Sequence, residues 1–281
     1  MIKFKYHFEE LRQIRLKPAF EKIQAYSRLL SDIKSTFTPH QKNWEEYSLK
    51  IYAKGFTTTP IPVDINNRVE AMDLNLNFVE HKLKIFIGKE RLSIDLDRHS
   101  AKSFSNELIK IFNEQGIDYK LPEEKFSNET NREYDLIYTQ KYWDAVKQTY
   151  FVLQKFRGNL LEETSNINFW PHHMDLALLI FSGRIIPGKD PSDWDNSREQ
   201  INFGFSPGDD GTAEPYFYIT AYPFPENVFT KKLPDGSYWH QKGWKGAVMN
   251  YSALLNNNVP DESLSNFFNS VKKIVDEERE V

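Results

Sequence analysis

Residues 169–184, FWPHHMDLALLIFSGR, concentrate the groups in this chain that are best suited to chemistry. Two histidines and an aspartate precede the most apolar run, and an arginine closes it. On a β-strand side chains alternate between faces, so His173 and Asp175 would share one face while His172 points to the other. An imidazole beside a carboxylate suits a divalent metal, or a general base oriented by an acid.

The nitrogen and oxygen ligands that a metal could use are His172, His173, Asp175 and His240. Loops of the same half could supply a further carboxylate from Asp209, Asp210 or Glu214. Nothing fixes these loops against the strand, so the cofactor stays unknown, and a divalent metal is allowed but not favoured. A structural interpretation is simpler: Asp175 accepts backbone hydrogen bonds where the strand starts, and the histidines fill the mouth of the core.

A row of tyrosines follows in the segment EPYFYITAYP. Tyr216, Tyr218 and Tyr222 face one way on a strand, giving an apolar wall with polar tips that suits a ligand or a partner surface. Ordinary cross-strand packing on a partly exposed sheet is the structural alternative. Gly204, in the preceding strand, indicates a bulge or a close backbone approach.

Arg184 and a loop rich in tryptophan each allow two interpretations. Arg184 either binds an anionic group or pairs with Asp175 or Glu214. The loop LPDGSYWHQKGWKG, with Trp239 and Trp244, is either a lid over the tyrosines or a long hairpin whose tryptophans pack at the core edge.

Composition excludes several classes of protein. The chain has 281 residues, a net charge of −4 and no cysteine, so thiolate metal sites, disulfides and cysteine nucleophiles are absent from it. It carries no basic run typical of nucleic-acid binding. Nucleotide-binding and hydrolase motifs of the G-x-S-x-G, GxGxxG, Walker A and HExxH types do not occur. Because the first residues are charged and no apolar run approaches a membrane span, we expect a cytoplasmic protein without a membrane partner.

Periodicity predicts the same order of elements twice. Helical spacing runs from about Phe8 to Ile33, and strands follow at 47–53, in DLNLNFVEHKLKIFI and in ERLSIDL, before a helix that ends at Gly116. A helix over about 140–160 then precedes strands at 174–182, 201–206, 215–222 and 246–251 and a last helix after Pro260. Short connections favour mainly antiparallel sheets.

The sequence therefore predicts an α+β protein built from two related helix–four-strand–helix halves. NWEEYSLKIYAKGFTTTPIP parallels FWPHHMDLALLIFSGRIIP, and SFSNELIKIF parallels SLSNFFNSVKKI, which indicates an internal duplication. The predicted divisions are a first half at 1–117, a polar linker at 118–137 and a second half at 138–281, which carries the site. Two unrelated α+β domains are the alternative.

The segments WPHHMDLALLIFSGR, NFGFSPGD and EPYFYITAYP, with LKIYAKGFTTTPIP in the first half, resemble a widespread bacterial family of uncharacterised proteins. The resemblance spans nearly the whole chain. The resemblance implies no activity. It implies that the stretch between Trp170 and Asp175 varies within the family, which makes Asp175, Arg184 and Glu214 better site candidates than the histidines.

We expect small-molecule binding, metal-assisted or not, by a polar–aromatic pocket in the second half. Its predicted lining residues are Trp170, Asp175, Arg184, Glu214, Tyr216, Tyr218 and Tyr222. The alternative is a noncatalytic interaction module that docks another protein, or a second copy of the chain, on its tyrosine-rich sheet face. A third reading makes the cluster purely structural. Whether the protein is an enzyme stays open.

Overall fold

The computed structural model describes residues 6–11 and 18–279, and these fold into α-helices and two antiparallel sheets. The α+β class is therefore confirmed. The described residues form two compact units: an N-terminal unit of residues 18–143 and 169–174, and a C-terminal unit of residues 6–11, 144–168 and 175–279. The predicted linker, 118–137, falls within the first of them.

The N-terminal unit contains two helices and a six-stranded sheet, and a third helix begins in it. Its elements are α1 Pro18–Phe37, β1 Lys50–Tyr52, β2 Gly55–Thr57, β3 Ile61–Ile65, β4 Arg68–Asn77, β5 Lys82–Ile87, β6 Glu90–Asp95, α2 Ala101–Glu114 and the start of α3 Leu136–Arg157. The sheet order is β1-β2-β4-β5-β6, and β3 pairs with β4.

Local sequence explains the ends of these helices. Proline is tolerated in the first helical turn, and α1 begins at Pro18. The predicted earlier start near Phe8 is wrong for residues 6–11, which are not helical, while 12–17 lie outside the described residues. Ser100 and Ser103 form a capping box at the start of α2. The predicted end at Gly116 is confirmed, since this residue has φ 75° just past the helix.

The C-terminal unit is built on a seven-stranded sheet. The elements that follow α3 along the chain are β7 Glu163–Thr164, β8 Asn168–Trp170, β9 Asp175–Ile185, α4 Trp194–Ser197, β10 Arg198–Ser206, β11 Tyr216–Tyr222, β12 Ser237–His240, β13 Gly246–Asn250, α5 Tyr251–Leu255 and α6 Pro260–Arg279, and all but the end of β8 lie in this unit. The main strand order is β12-β13-β11-β10-β9-β7.

A strand is present at each of the four places predicted in each half, although the one predicted at 47–53 is only the three-residue β1, and further short strands occur. The short strands β2 and β3 were not predicted; β3 contains a proline, and prolines usually mark loops. β3 tolerates Pro62 because it pairs on one side only, with β4. The internal duplication stays a prediction.

One face of the C-terminal sheet carries the core of its unit. Phe203 on β10 lies 4.9 Å from Phe156 of α3 and 5.8 Å from Phe268 of α6, measured between ring centroids. Phe205 and Phe217 follow on the same face and contact Tyr251 of α5. Helices cover this face, and the opposite face is the one that carries the tyrosine row. No helix in the described part of the chain is long and apolar enough to cross a membrane.

A buried lysine gives the N-terminal unit a pH-dependent stability. Lys34 on α1 is 6% exposed, and its Nζ donates to the carbonyls of Glu45 at 2.9 Å and Ser48 at 2.6 Å. Burial, reinforced by the charge of Lys50, lowers the pKa of Lys34 to about 8. A neutral amine keeps enough hydrogens for both bonds.

We expect the contribution of Lys34 to the free energy of unfolding to increase as the pH rises from about 8 toward about 10.4, the ordinary lysine pKa. Between these pH values the unfolded chain binds more protons than the folded chain does. The gain should be on the order of 3 kcal/mol. It is measured by urea unfolding of the wild type and Lys34→Met across this window. Equal pH dependence in both proteins would contradict the assignment.

Candidate functional site

The segment before β9 is a turn, not a strand. Pro171 follows Trp170 in a tight turn that the His173 N–H closes by donating to the Trp170 carbonyl at 3.3 Å. Met174 has φ 57° and its carbonyl accepts from the Tyr142 hydroxyl at 2.8 Å, so the strand starts only at Asp175. The prediction that His173 and Asp175 share one strand face is therefore wrong.

The two histidines belong to the N-terminal unit. The carbonyl of His172 accepts hydrogen bonds from Gln24 at 3.0 Å and from Arg28 at 2.8 Å. Burial, then the neighbouring His173 and Arg28, lower the pKa of His172, which keeps the ring neutral at physiological pH. Trp170 also packs edge-on against His172 at 6.2 Å between ring centroids, so both local and long-range contacts hold this turn.

The described residues contain no group of three or more histidine, aspartate or glutamate side chains arranged to hold a metal ion. Asp175 belongs to the other unit from His172 and His173. His240 stacks on Trp244 at 4.5 Å, and its Nε2 lies 2.7 Å from the carbonyl of Lys242. No three of the proposed metal ligands are therefore arranged around one metal position among the described residues.

The tyrosine row forms the polar face of the C-terminal sheet, as the alternation predicted. Phe217 and Ile219 are buried on the helix side of β11. On the other side Tyr216 is buried, Tyr218 is half-buried and Tyr222 is exposed. We call this side, with its floor on β9 and β10, the tyrosine face.

Tyr218 crosses a whole strand to reach its partner. Its hydroxyl donates to Oδ2 of Asp175 at 2.7 Å, although β10 lies between β11 and β9. The ring passes over Gly204 of β10, where an added Cβ would lie 2.2 Å from Cζ of Tyr218. Glycine at this position is therefore what lets the tyrosine lie flat across the sheet. A close approach to the backbone was one of the two predicted reasons for glycine at position 204.

Asn202 completes the floor of the tyrosine face, two residues before Gly204. Its side chain forms a hydrogen bond with Tyr218. Its Oδ1 atom is buried and accepts no hydrogen bond from any described residue. Burial, together with the charge of Asp175, raises the pKa of Tyr218 well above its usual value, so this hydroxyl stays a neutral donor.

A second tyrosine–carboxylate pair lies beside the first. The Tyr216 hydroxyl donates to Oδ2 of Asp209, and the other oxygen of Asp209 accepts from the N–H groups of Gly211 at 2.7 Å and Thr212 at 2.8 Å. Burial, then the bond to Asp209, raises the pKa of Tyr216, and the charge of Asp175 acts in the same direction. Two carboxylates therefore act on neighbouring tyrosines, whose rings are 6.2 Å apart.

The two tryptophans of the loop 233–246 lie in different places, one at the edge of a hairpin and one over the tyrosines. β12 and β13 form a hairpin, and Trp239 packs against Phe229 at its edge. Trp244 instead folds over the tyrosine face, with its ring centroid 6.4 Å from Tyr216 and 6.3 Å from Tyr218.

Two predicted site residues have other partners. Glu214 accepts from the Asn250 amide at 2.6 Å and from the Ser252 N–H at 3.4 Å, so it stabilises the start of α5. Arg184 lies nine residues along β9 from Asp175, a span of roughly 30 Å. It pairs with Glu199 at 2.7 Å, which neither of its predicted pairings anticipated.

Asn202 was not among the predicted site residues, and Asp209 was predicted only as a further metal ligand. The signal for Asn202 was present, because Asn202, Gly204 and Ser206 alternate with Phe203 and Phe205 and must share the face opposite the core. The contact between Tyr216 and Asp209 depends on a loop conformation that no periodicity encodes.

Comparison with known proteins identifies a family whose function is unknown. The chain belongs to a family of unknown function, DUF5996, whose family model matches residues 8–275. The predicted resemblance to an uncharacterised family is thereby confirmed. No curated protein and no solved structure matches the chain.

We expect Gly204→Ala to lower the free energy of unfolding by about 1–3 kcal/mol, because its methyl group would overlap the Tyr218 ring. In a Tyr218→Ala background the same substitution should cost little, since the overlapping ring is gone. The double-mutant cycle is measured by urea unfolding. An equal cost in both backgrounds would show that Tyr218 does not require the glycine.

We expect Tyr218→Phe to cost about 1.5–3 kcal/mol, because it removes a hydrogen bond to a charged, partly buried carboxylate. Tyr222→Phe, the matched control at the exposed end of the same row, should change stability by less than about 0.5 kcal/mol. Thermal and urea unfolding of the three proteins test this pair. Similar losses at both positions would contradict the special role of Tyr218.

Proposed function

We propose that the tyrosine face binds a small organic cation, such as a primary or quaternary amine. The observation that carries the proposal is the pairing of two carboxylates, Asp175 and Asp209, with tyrosine hydroxyls beside the Trp244 ring. Carboxylates supply negative charge, and aromatic rings attract cations through their electron-rich faces. This combination is typical of sites that recognise ammonium groups.

The hydrogen-bonding character of the face supports a ligand that donates. Tyr216 and Tyr218 direct their protons at the carboxylates, so toward a ligand their hydroxyl oxygens can act only as acceptors. The buried Oδ1 of Asn202 adds an acceptor that no described residue uses. An ammonium or hydroxyl hydrogen would satisfy it, whereas an anion would meet repulsion from Asp175 and Asp209.

The preformed geometry supports binding with little reorganisation. Tyr218 is fixed by Gly204 beneath it, by Asp175 at its tip and by Asn202 at its side. Tyr216 is fixed by a loop that Asp209 closes through two backbone N–H groups. Because the side chains are already ordered, a ligand would not have to offset their loss of freedom.

Matched pairs of a cation and its neutral isostere test the proposal. The probes are choline with 3,3-dimethyl-1-butanol, and propylamine with 1-propanol, titrated by isothermal calorimetry into the wild type, Asp175→Asn and Tyr222→Phe. We expect each amine to bind at least about tenfold more tightly than its isostere, a difference of about 1.4 kcal/mol. Asp175→Asn should remove this preference and Tyr222→Phe should keep it.

Two results would contradict the proposal. One is a wild type that binds the neutral isosteres as tightly as the amines, or binds neither. The other is an Asp175→Asn variant, shown to be folded by circular dichroism, that keeps the preference for the amines.

Exposure at the margin of the face favours a second candidate, docking of a protein. Tyr222 is 44% exposed and Tyr238 is 41% exposed, and tyrosines of this kind are enriched at protein interfaces. The two candidates depend on different residues. Replacing Tyr222 and Tyr238 with serine should leave amine binding intact under the first, while under the second it should weaken self-association or partner binding in sedimentation experiments.

A further inference from the structure

A cavity of about 210 Å³ lies in the C-terminal unit, on residues that the proposed cation site does not use. Its lining contains charged side chains of both signs. They are Arg184 from β9, Lys272 and Asp276 from α6, and Glu162 just before β7. Ile180 and Ile201, paired on neighbouring strands, add an apolar surface. Ser182 completes the lining.

A β-bulge shapes this end of β9. Gln200 pairs with Phe181 and Arg198 pairs with Ile185, so β9 uses two more residues than β10 over the same span. Gly183 within the bulge has φ 82°, a conformation that favours glycine. Bulges change the direction of side chains and recur beside functional sites. Here the bulge brings Ser182 and Arg184 to the cavity.

Each basic side chain of the cavity is already paired with an acidic one, Lys272 with carboxylates of the lining and Arg184 with Glu199 beside it. The Lys272 Nζ contacts Glu162, and it lies 2.7 Å from Oδ2 of Asp276. Arg184 contacts Glu199 through Nε at 3.0 Å and through a terminal nitrogen at 2.7 Å. A ligand with a single charge would take one partner from a pair and leave the other uncompensated. A ligand with both charges could bind both partners at once.

We propose that this cavity binds a small aliphatic α-amino acid. Its carboxylate would contact Arg184 and Lys272, its ammonium group Glu162 and Asp276, and its side chain Ile180 and Ile201. The volume equals about seven water molecules at ~30 Å³ each, which suits a molecule of this size. The site is separate from the tyrosine face and does not depend on the function proposed for that face.

L-Valine and two isosteres, each lacking one charge, test the charge requirement. The probes are L-valine, 3-methylbutanoate without the ammonium group and isobutylamine without the carboxylate, titrated by isothermal calorimetry into the intact chain. We expect L-valine to bind at least about tenfold more tightly than either isostere. If L-valine does not bind, or if either isostere binds equally well, the proposal is wrong.

Variants test the location. Arg184→Gln and Lys272→Gln should each weaken L-valine binding by about tenfold or more, since each removes a charge-assisted contact. Lys273→Gln is the matched control on the same helix, because Lys273 lies outside the cavity and contacts Glu277. It should bind as the wild type does, and so should Asp175→Asn on the tyrosine face.

Two results would place valine elsewhere and overturn the proposal. One is unchanged binding in both Arg184→Gln and Lys272→Gln, with circular dichroism showing that the variants fold. The other is binding lost in Asp175→Asn and retained in the two cavity variants.

Discussion

The polar face of the C-terminal sheet depends on one close contact, the passage of the Tyr218 ring over Gly204 to the carboxylate of Asp175. Any side chain at position 204 would lift the ring from the sheet. With the ring flat, its hydroxyl is buried against a charge, which raises its pKa and keeps it a donor. The same placement brings Tyr218 beside Tyr216 and under Trp244, so the aromatic wall and the carboxylates meet.

The two faces of this sheet differ in what they carry, since one is packed against helices and the other displays polar and tyrosine side chains. The helix side packs phenylalanines of β10 and β11 against α3, α5 and α6, and this burial holds the strands in register. The other side can then display polar groups at fixed spacing. At the far end of β9, a bulge at Gly183 releases Arg184 from regular pairing and directs it to a charged cavity.

Features that repeat along the chain were predictable from the sequence, and contacts between distant segments were not. Alternation identified the tyrosine row, and Gly116 identified the end of α2. The sequence could not show that Pro171 and Met174 turn the chain before Asp175, because a turn competes with a strand over only a few residues. Nor could it pair Arg184 with Glu199 or Lys272 with Glu162, since both pairs arise from tertiary packing.

The central claim, that the tyrosine face recognises a cation, is tested most directly by locating a bound amine. A crystal soaked with 2-(4-bromophenyl)ethylamine would reveal the ligand by the anomalous scattering of its bromine. Our account predicts an amine nitrogen within hydrogen-bond distance of Asp175 or Asn202 and a ring packed against Trp244 or Tyr216. A fully occupied amine bound elsewhere, with the tyrosine face accessible and empty, would contradict it.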